Sequence, residues 1–383
     1  MILLATEVWK SHGGVQRYMR MIVRMLEESG RPFHIVSLLD DEASRPPELQ
    51  SRAAVCAGSK LAFLRHTMRL AAEHKRDAAI AGHPGLLPVV WALRRLRLCS
   101  AYAVVLHGIE AWKRLSPVHR LAARDAHTIV ATTQYTAREF CFFNRVDFSR
   151  CVVIPLAAER VHGGPRREPP QGEVRLLTVS RLSTADQYKG VDSVFKAVRL
   201  GIDTGLRVSL DVAGDGDDLD RLRRLSHQLG LDQAVRFHGA VSEEKLSELY
   251  SSAHIFAMPS KKEGFGIVFL EAMAAGLPCI GGNHGGTPEV IEHGVSGFLV
   301  EYGDAEQIWQ YVQALADSPS LYQAVSEGAR GRALHVLTFE NMSAAWRSIF
   351  ASLPARGGGS SQPAGASSSF TKETYPCAEL RER

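Results

Sequence analysis

Short apolar runs alternate with amphipathic stretches along nearly the whole chain, a rhythm that predicts parallel strands covered by helices. In the first half the runs are MILLAT, FHIVSLL, AAIAG, AYAVVLHG, TIVATT and CVVIPL; in the second they are VRLLTVS, RVSLDVAG, AVRFHG, HIFAMPS, PCIGG and GFLV. Between them, stretches such as GVQRYMRMIVRMLEES repeat apolar residues every three or four positions, the spacing of a helix with one buried stripe. Two β-α series in tandem predict an α/β fold of two doubly wound, Rossmann-like domains. A length of 383 residues fits two such domains. Residues 159–173, rich in Gly, Pro and charge, mark the seam, so the domains are expected at 1–160 and 161–335. LTFENMSAAWRSIFASL adds a helix within 336–354, with Trp346, Ile349 and Phe350 to pack; its periodicity does not say against which domain. The tail, 355–383, opens with ARGGGSSQPAGASSS and buries too little apolar surface to offset the entropy of ordering, so it is expected to be disordered.

Composition sharpens this picture at a few points. With 45% hydrophobic and 22% charged residues the rest of the chain is expected to fold. The six cysteines, at 56, 99, 141, 151, 279 and 377, form no C-x-x-C or C-x-x-H pair, which argues against zinc or a disulfide framework and for a reducing cytoplasm. MILLATEVW lacks the basic start and cleavage site of a signal peptide. LLPVVWALRRLRL is broken by Pro88 and three arginines, so no run is expected to span a bilayer.

The net charge of +4 hides a contrast: residues 1–160 carry 23 Lys+Arg against 14 Asp+Glu, and the remainder 22 against 27. Arg65 and Arg69 lie in LAFLRHTMRL, and Arg94, Arg95 and Arg97 lie beside Trp91 and Leu98 in WALRRLRL. Such a face suits peripheral contact with an anionic membrane, on its inner side for a cytoplasmic protein; it serves equally as a solvated surface. Nucleic acid is not an expected partner, because no aromatic interleaving or known module accompanies the basic residues.

The chemistry concentrates in KKEGFGIVFLEAMAAGLPCIGGNHGGTPEV, residues 261–290. HIFAMPS reads as a buried strand, KKEGFG as a turn and IVFLEAMAA as a helix stopped by Gly276 and Pro278. A helix that starts after a glycine turn offers free N–H groups and a positive dipole end, where a phosphate is best held. Glu271 then lies roughly 7–9 Å along the axis from Gly266. That offset matches a nucleotide's diphosphate-to-ribose distance, leaving Glu263, on the turn, for whatever lies beyond the phosphates. The bland alternative is that Glu263 favours the helix dipole and Glu271 faces solvent.

EGFGIVFLE, followed by AMAAGLPCI and GGTPEVI, resembles the signature of the retaining nucleotide-sugar glycosyltransferases of family 4, whose GT-B fold implies two Rossmann-like domains facing a central cleft. The likeness extends over nearly all of the folded chain. HGGVQRYMRMIVRML is similar to the family's first loop and helix, LHGIE to its mid-domain His-Gly and VVIPLAA to its interdomain crossing. VSRL, YKGVD, VAGDGDDLDRL and FHGAV are similar to its second-domain elements. The resemblance implies a hexosyltransferase that takes its sugar from a UDP- or GDP-linked donor on the second domain. The acceptor it implies is a glycan or a lipid-linked molecule on the first domain, in polysaccharide or surface-glycan assembly. A non-catalytic nucleotide-sugar-binding scaffold and a GT-B-type epimerase are the alternatives.

The resemblance also implies roles. Arg181 and Lys189 match the family's cations on the donor diphosphate, whose developing charge a guanidinium and an ammonium stabilise together. Gly13 and Gly14 match the first-loop glycines against the donor, and His107 the histidine near the donor sugar. Glu263 matches the acid on the transferred sugar and Glu271 the acid on the ribose, with Gly264, Phe265 and Gly266 giving backbone contacts. Unaided, HGG reads only as a tight turn, His107 as a structural histidine, and Arg181 with Lys189 as surface charges.

Two departures stand out. Leu156 and Ala157 replace the family's common Asn-Gly, and Lys261 and Lys262 precede EGFG where a small or polar residue is usual. The acids Asp215, Asp217 and Asp218 suggest a divalent cation, but after a strand they are better explained as a turn and helix cap. No metal or other cofactor is expected. A nicotinamide enzyme fits poorly, since no G-x-G-x-x-G follows MILLAT.

Overall fold

The computed structural model describes residues 1–353 apart from 12, 76 and 159–167. Much of the expected seam, and the tail from 355, therefore lie outside the described residues. The strands form two parallel sheets. The first holds β1 (Ile2–Ala5), β2 (His34–Ser37), β3 (Ala53–Val55), β4 (Ala79–Ala81), β5 (Tyr102–Leu106), β6 (Thr128–Ala131) and β7 (Cys151–Val153), in the order β3-β2-β1-β4-β5-β6-β7. The second holds β8 (Glu173–Val179), β9 (Arg207–Ala213), β10 (Val235–Gly239), β11 (Ile255–Met258), β12 (Cys279–Gly282) and β13 (Gly297–Val300), in the order β10-β9-β8-β11-β12-β13.

Every apolar run read as a strand is one. The strand that the pattern missed, β3, is three residues long at a sheet edge, too short to show a period. Central strands such as β1 and β5 are buried at every position, which is why they read as continuous apolar runs rather than alternating ones.

In each sheet the winding direction reverses beside the first strand, between β1 and β4 and between β8 and β11. Open α/β sheets bind ligands outside the carboxyl ends of their strands at this switch point. The segment leading to the Gly13–Gly14 loop leaves β1, and the KKEGFG turn follows β11, so both candidate loops stand at a switch point.

The C-terminal helix, Phe339–Ser352, returns to the first domain. Trp346 is fully buried; its Nε1 donates to Tyr18 Oη at 3.1 Å, and Tyr18 Oη donates to the Ile154 carbonyl at 3.1 Å. The outgoing and returning crossings are joined where the Ala158 amide donates to the Leu337 carbonyl at 3.0 Å. The five described cysteines are free thiols; Cys141 and Cys151 lie with their sulfurs 3.3 Å apart, a contact their spacing did not suggest. Among the described residues no helix is long and apolar enough to cross a membrane.

Candidate functional site

The turn between β11 and the helix Ile267–Ala274 is built by glycines for two physical reasons. Gly266 starts the helix from the left-handed region, at φ 88°, where an L side chain is strained. Gly264 lies against the first domain so closely that a Cβ on it would stand 2.5 Å from the His107 carbonyl oxygen and 2.8 Å from Gly108 Cα. Thr133 Oγ1, also from the first domain, donates to the Gly264 carbonyl at 3.1 Å. The turn is thus a point where the two domains touch backbone to backbone.

Around it the two acids are both neutralised. Glu263 forms an ion pair with Lys189, the side chains being 13% and 15% exposed. Lys189 closes the short helix Thr184–Lys189, which is tied to the turn by the Lys261 amide donating to the Tyr188 carbonyl at 2.8 Å. Glu271 pairs with Arg17 from the other side of the cleft and accepts a hydrogen bond from Tyr250 Oη at 2.9 Å. Arg17, Tyr250, Ile267 and Glu271, with Ala157 and Ala158 of the interdomain crossing, line an open-mouthed space between the domains.

Two helix N-termini meet here. Gly14 opens the helix Gly14–Glu28, and a Cβ on it would stand 3.7 Å from Ile267 Cγ2, at the start of the facing helix. Like ends of two dipoles repel across so short a gap, and an anion between them relieves the repulsion.

His107, at the end of β5, is buried. Its Nε2 faces the Gly82 carbonyl at 2.8 Å and must donate to it, which leaves Nδ1 unprotonated in the neutral ring. Burial pushes its pKa below the ordinary histidine value, against the pull of the nearby Glu110 carboxylate and the Gly82 carbonyl. The same Glu110 accepts from the His107 and Gly108 amides at 2.6 and 3.1 Å, which fixes the His-Gly turn.

The remaining expected residues fall differently. Arg181 points outward, 79% exposed, and pairs with Asp186 at 3.2 Å, while Lys189 is committed to Glu263, so the two cations do not form one cluster. Lys261 Nζ lies 5.7 Å from the centre of the Tyr302 ring. Asp218 stands at the N-cap of the helix Leu219–Gln228, but its carboxylate does not cap it. It accepts instead from Arg221 Nε and Nη2, both at 2.7 Å, and from Gln187 Nε2 at 2.9 Å; Asp217 accepts from the Thr184 amide at 2.7 Å. These acids stitch two loops together.

Arg17, Tyr250, Thr133 and Glu289 were not singled out from the sequence. Arg17 left a signal: a cation in the first turn of a helix with no acid there opposes the dipole, a placement that needs another reason.

The family profile described as glycosyltransferase family 4 matches residues 12–159, and that described as glycosyl transferases group 1 matches residues 165–332. A GDP-mannose-dependent alpha-(1-6)-phosphatidylinositol monomannoside mannosyltransferase of Mycobacterium tuberculosis is 30% identical over 302 residues, 73% of this chain and 74% of its own. The chain belongs to the group 1 glycosyltransferases. The counterpart in Mycolicibacterium smegmatis, with the same descriptive name, is 26% identical over 87% of this chain and 92% of its own. Among solved structures, HepE of Anabaena in complex with UDP superposes with a TM-score of 0.75 at 19% identity, covering 92% of this chain and 99% of that one. A glycosyltransferase from Rickettsia africae gives 0.75 at 18%, over 91% and 97%. These likenesses establish the GT-B fold for this glycosyltransferase.

Proposed function

We propose that this group 1 glycosyltransferase transfers a hexose, with retention at the anomeric carbon and without a metal, from a UDP- or GDP-linked donor to a glycan or lipid-linked acceptor. The observation that carries the reading is the convergence of two positive helix ends, Gly14 and Ile267, on a space flanked by the Lys189–Glu263 and Arg17–Glu271 pairs. A diphosphate suits that space, with its ribose toward Glu271 and its sugar toward Glu263 and His107. Mannosyltransferases that use GDP-mannose are among the similar proteins, which makes GDP-mannose the first donor to try.

In the transfer, the bond from the anomeric carbon to the diphosphate oxygen breaks and the acceptor oxygen bonds to that carbon on the same face. The acceptor's proton goes to a phosphate oxygen of the leaving diphosphate. The Lys189 ammonium and the helix N-terminus meet the charge that develops on the diphosphate, the task a metal ion performs elsewhere. Arg181, on its exposed side chain, joins them by leaving Asp186.

The acceptor's setting is proposed from the first domain. The helix Lys60–Glu73 exposes Leu61, Leu64 and Met68 on one stripe beside Arg65 and Arg69. An apolar stripe edged by cations suits an anionic bilayer surface. Co-sedimentation with phosphatidylglycerol vesicles but not with phosphatidylcholine vesicles is expected, and a Leu61→Glu, Leu64→Glu variant should stay in solution.

A thermal-shift screen against UDP-, GDP- and ADP-sugars tests the donor first. A nucleotide at 100 times its dissociation constant adds about 2.7 kcal/mol of stability. NMR of the product then reads the anomeric configuration, and inversion or a metal requirement would sink the proposed chemistry.

A further inference from the structure

Glu289 sits in the short helix Thr287–Val290, in the second domain. Its backbone is firmly held: Arg332 Nη2 donates to the Glu289 carbonyl at 2.7 Å and Arg332 Nε to the Val290 carbonyl at 2.6 Å. The preceding Gly286 amide donates to the Glu263 carbonyl at 2.7 Å, which ties this segment to the turn that carries Glu263. The carboxylate, however, leaves its own domain. Its Oε2 accepts from the Gln134 amide and its Oε1 from the Tyr135 amide, each at 2.7 Å.

Gln134 and Tyr135 are the first two residues of the helix Gln134–Asn144 of the first domain. The first amides of a helix have no partner within it, and here a third is taken by the helix's own N-cap, Thr133 Oγ1 accepting from the Thr136 amide at 3.1 Å. Two of the helix's unpaired donors are thus satisfied by an acid from across the cleft. That acid is largely withdrawn from water, and burial raises its pKa against the pull of the two amides and of Arg138. The same Thr133 hydroxyl donates to the Gly264 carbonyl, and Gly108 touches Gly264, so the acid and the sugar-side turn meet the first domain at one place.

We propose that Glu289 is a positioning residue: it clasps the two domains shut by capping the helix Gln134–Asn144, and so sets the Glu263–Gly264 turn against His107 and Gly108. The clasp itself stands on geometry alone; only its effect on turnover rests on the glycosyl-transfer reading. It touches no substrate. Its loss should change how often the cleft is closed, and leave the nucleotide's contacts within the second domain intact.

Two substitutions test it from opposite domains. Glu289→Ala removes the acid. Gln134→Pro removes one donor without touching the acid, and the site accepts it: position 134 is the first helical residue, where proline is favoured, and Thr133 before it is already extended at φ −142°, ψ 156°. In small-angle scattering of the full chain without ligand, both variants should have a larger radius of gyration than the wild type, Glu289→Ala more so. The double variant should match Glu289→Ala, because the bond that Gln134→Pro deletes is already gone. In a GDP-mannose and UDP-glucose hydrolysis assay, the turnover of Glu289→Ala should fall at least tenfold while its dissociation constant for the matching nucleotide moves less than threefold.

Scattering curves of folded variants that superimpose on the wild type would overturn the clasp, as would full additivity in the double variant. If Glu289→Ala fails to fold, Gln134→Pro decides alone by the same scattering criterion. A wild type that releases no nucleotide from either donor counts against the choice of donors or the transfer reading, and the scattering result still judges the clasp.

Discussion

Glu263 and Glu271 stand eight residues apart on one turn and one helix, and each carries a cation, but the cations come from different places. Lys189, the partner of Glu263, belongs to the same domain and is tied to the same turn through the Tyr188 carbonyl. Arg17, the partner of Glu271, reaches over from the first domain, and Tyr250 is the local support. The first pair is therefore assembled whether the cleft is open or shut, whereas the second exists only when it is shut. If Glu271 is the ribose acid, as proposed, an opened cleft frees it to accept ribose hydroxyls while Glu263 stays held. On the proposed reading the ribose end of the site is exchangeable and the sugar end is preorganised, which is the division of labour that binding followed by closure requires.

The largest expected effect breaks the preorganised end. Glu263→Gln should lower turnover on the order of 10²–10³-fold while nucleotide affinity changes by only a few fold, since in the proposed function the acid acts on the reacting sugar and not on the nucleotide. Steady-state kinetics beside calorimetric titration of the nucleotide would separate the two, and equal losses in both would erase the distinction between the acids. Lys189→Ala leaves a mostly buried carboxylate without its cation, at a cost of about 3 kcal/mol in denaturant unfolding. Adding Glu263→Gln to it should recover most of that loss; no recovery would mean that lysine matters for packing rather than charge.

At the exchangeable end the order reverses. Glu271→Ala removes the charged acceptor proposed for the ribose and should weaken nucleotide binding by about 1.5–3 kcal/mol, roughly 10–100-fold, with turnover at saturation reduced less. Arg17→Ala should cost about 1 kcal/mol or less in unfolding, because Glu271 keeps Tyr250 and opening of the cleft gives it water. If Arg17→Ala proves as destabilising as Lys189→Ala, the second pair is as permanent as the first and the contrast fails.

What the sequence made legible follows from range. β1 through β13, apart from β3, lie within the short apolar runs that alternate with amphipathic stretches, and the KKEGFG turn carries its own punctuation in Gly264, Gly266, Gly276 and Pro278. Contacts that close over long separations left no such mark. Trp346 meets Tyr18 across 328 positions, and nothing in the helix that bears it points to the first domain. Glu289 stands in the first turn of its own short helix, yet it caps another helix 154 positions away. The cation pair implied by the family resemblance, Arg181 with Lys189, is separated because each finds a nearer acid, Asp186 and Glu263.

The smallest effect tests whether the first domain's face of the cleft is dry in the resting protein, as a shut cleft requires. Among the described residues His107 forms no ion pair; Nε2 donates to the Gly82 carbonyl, and burial holds its pKa below the ordinary value. In the unfolded chain it titrates near 6.5. Between that value and the lower folded one, the unfolded chain binds more protons, so stability rises with pH there. The contribution is complete above 6.5 and is lost as the pH falls through the folded value, with a ceiling of about 1.4 kcal/mol per pH unit for one proton. His34, His83 and His127 are shifted the same way by burial, so His107 supplies one share of a common slope. His107→Asn keeps a donor for Gly82 and cannot titrate. Melting temperatures measured from pH 7 to pH 5 should therefore fall less steeply in the variant than in the wild type. Identical slopes would mean that water and protons already reach the ring in the folded protein. The cleft would then stand open at rest, and the Arg17–Glu271 pair would be the exception in solution rather than the rule.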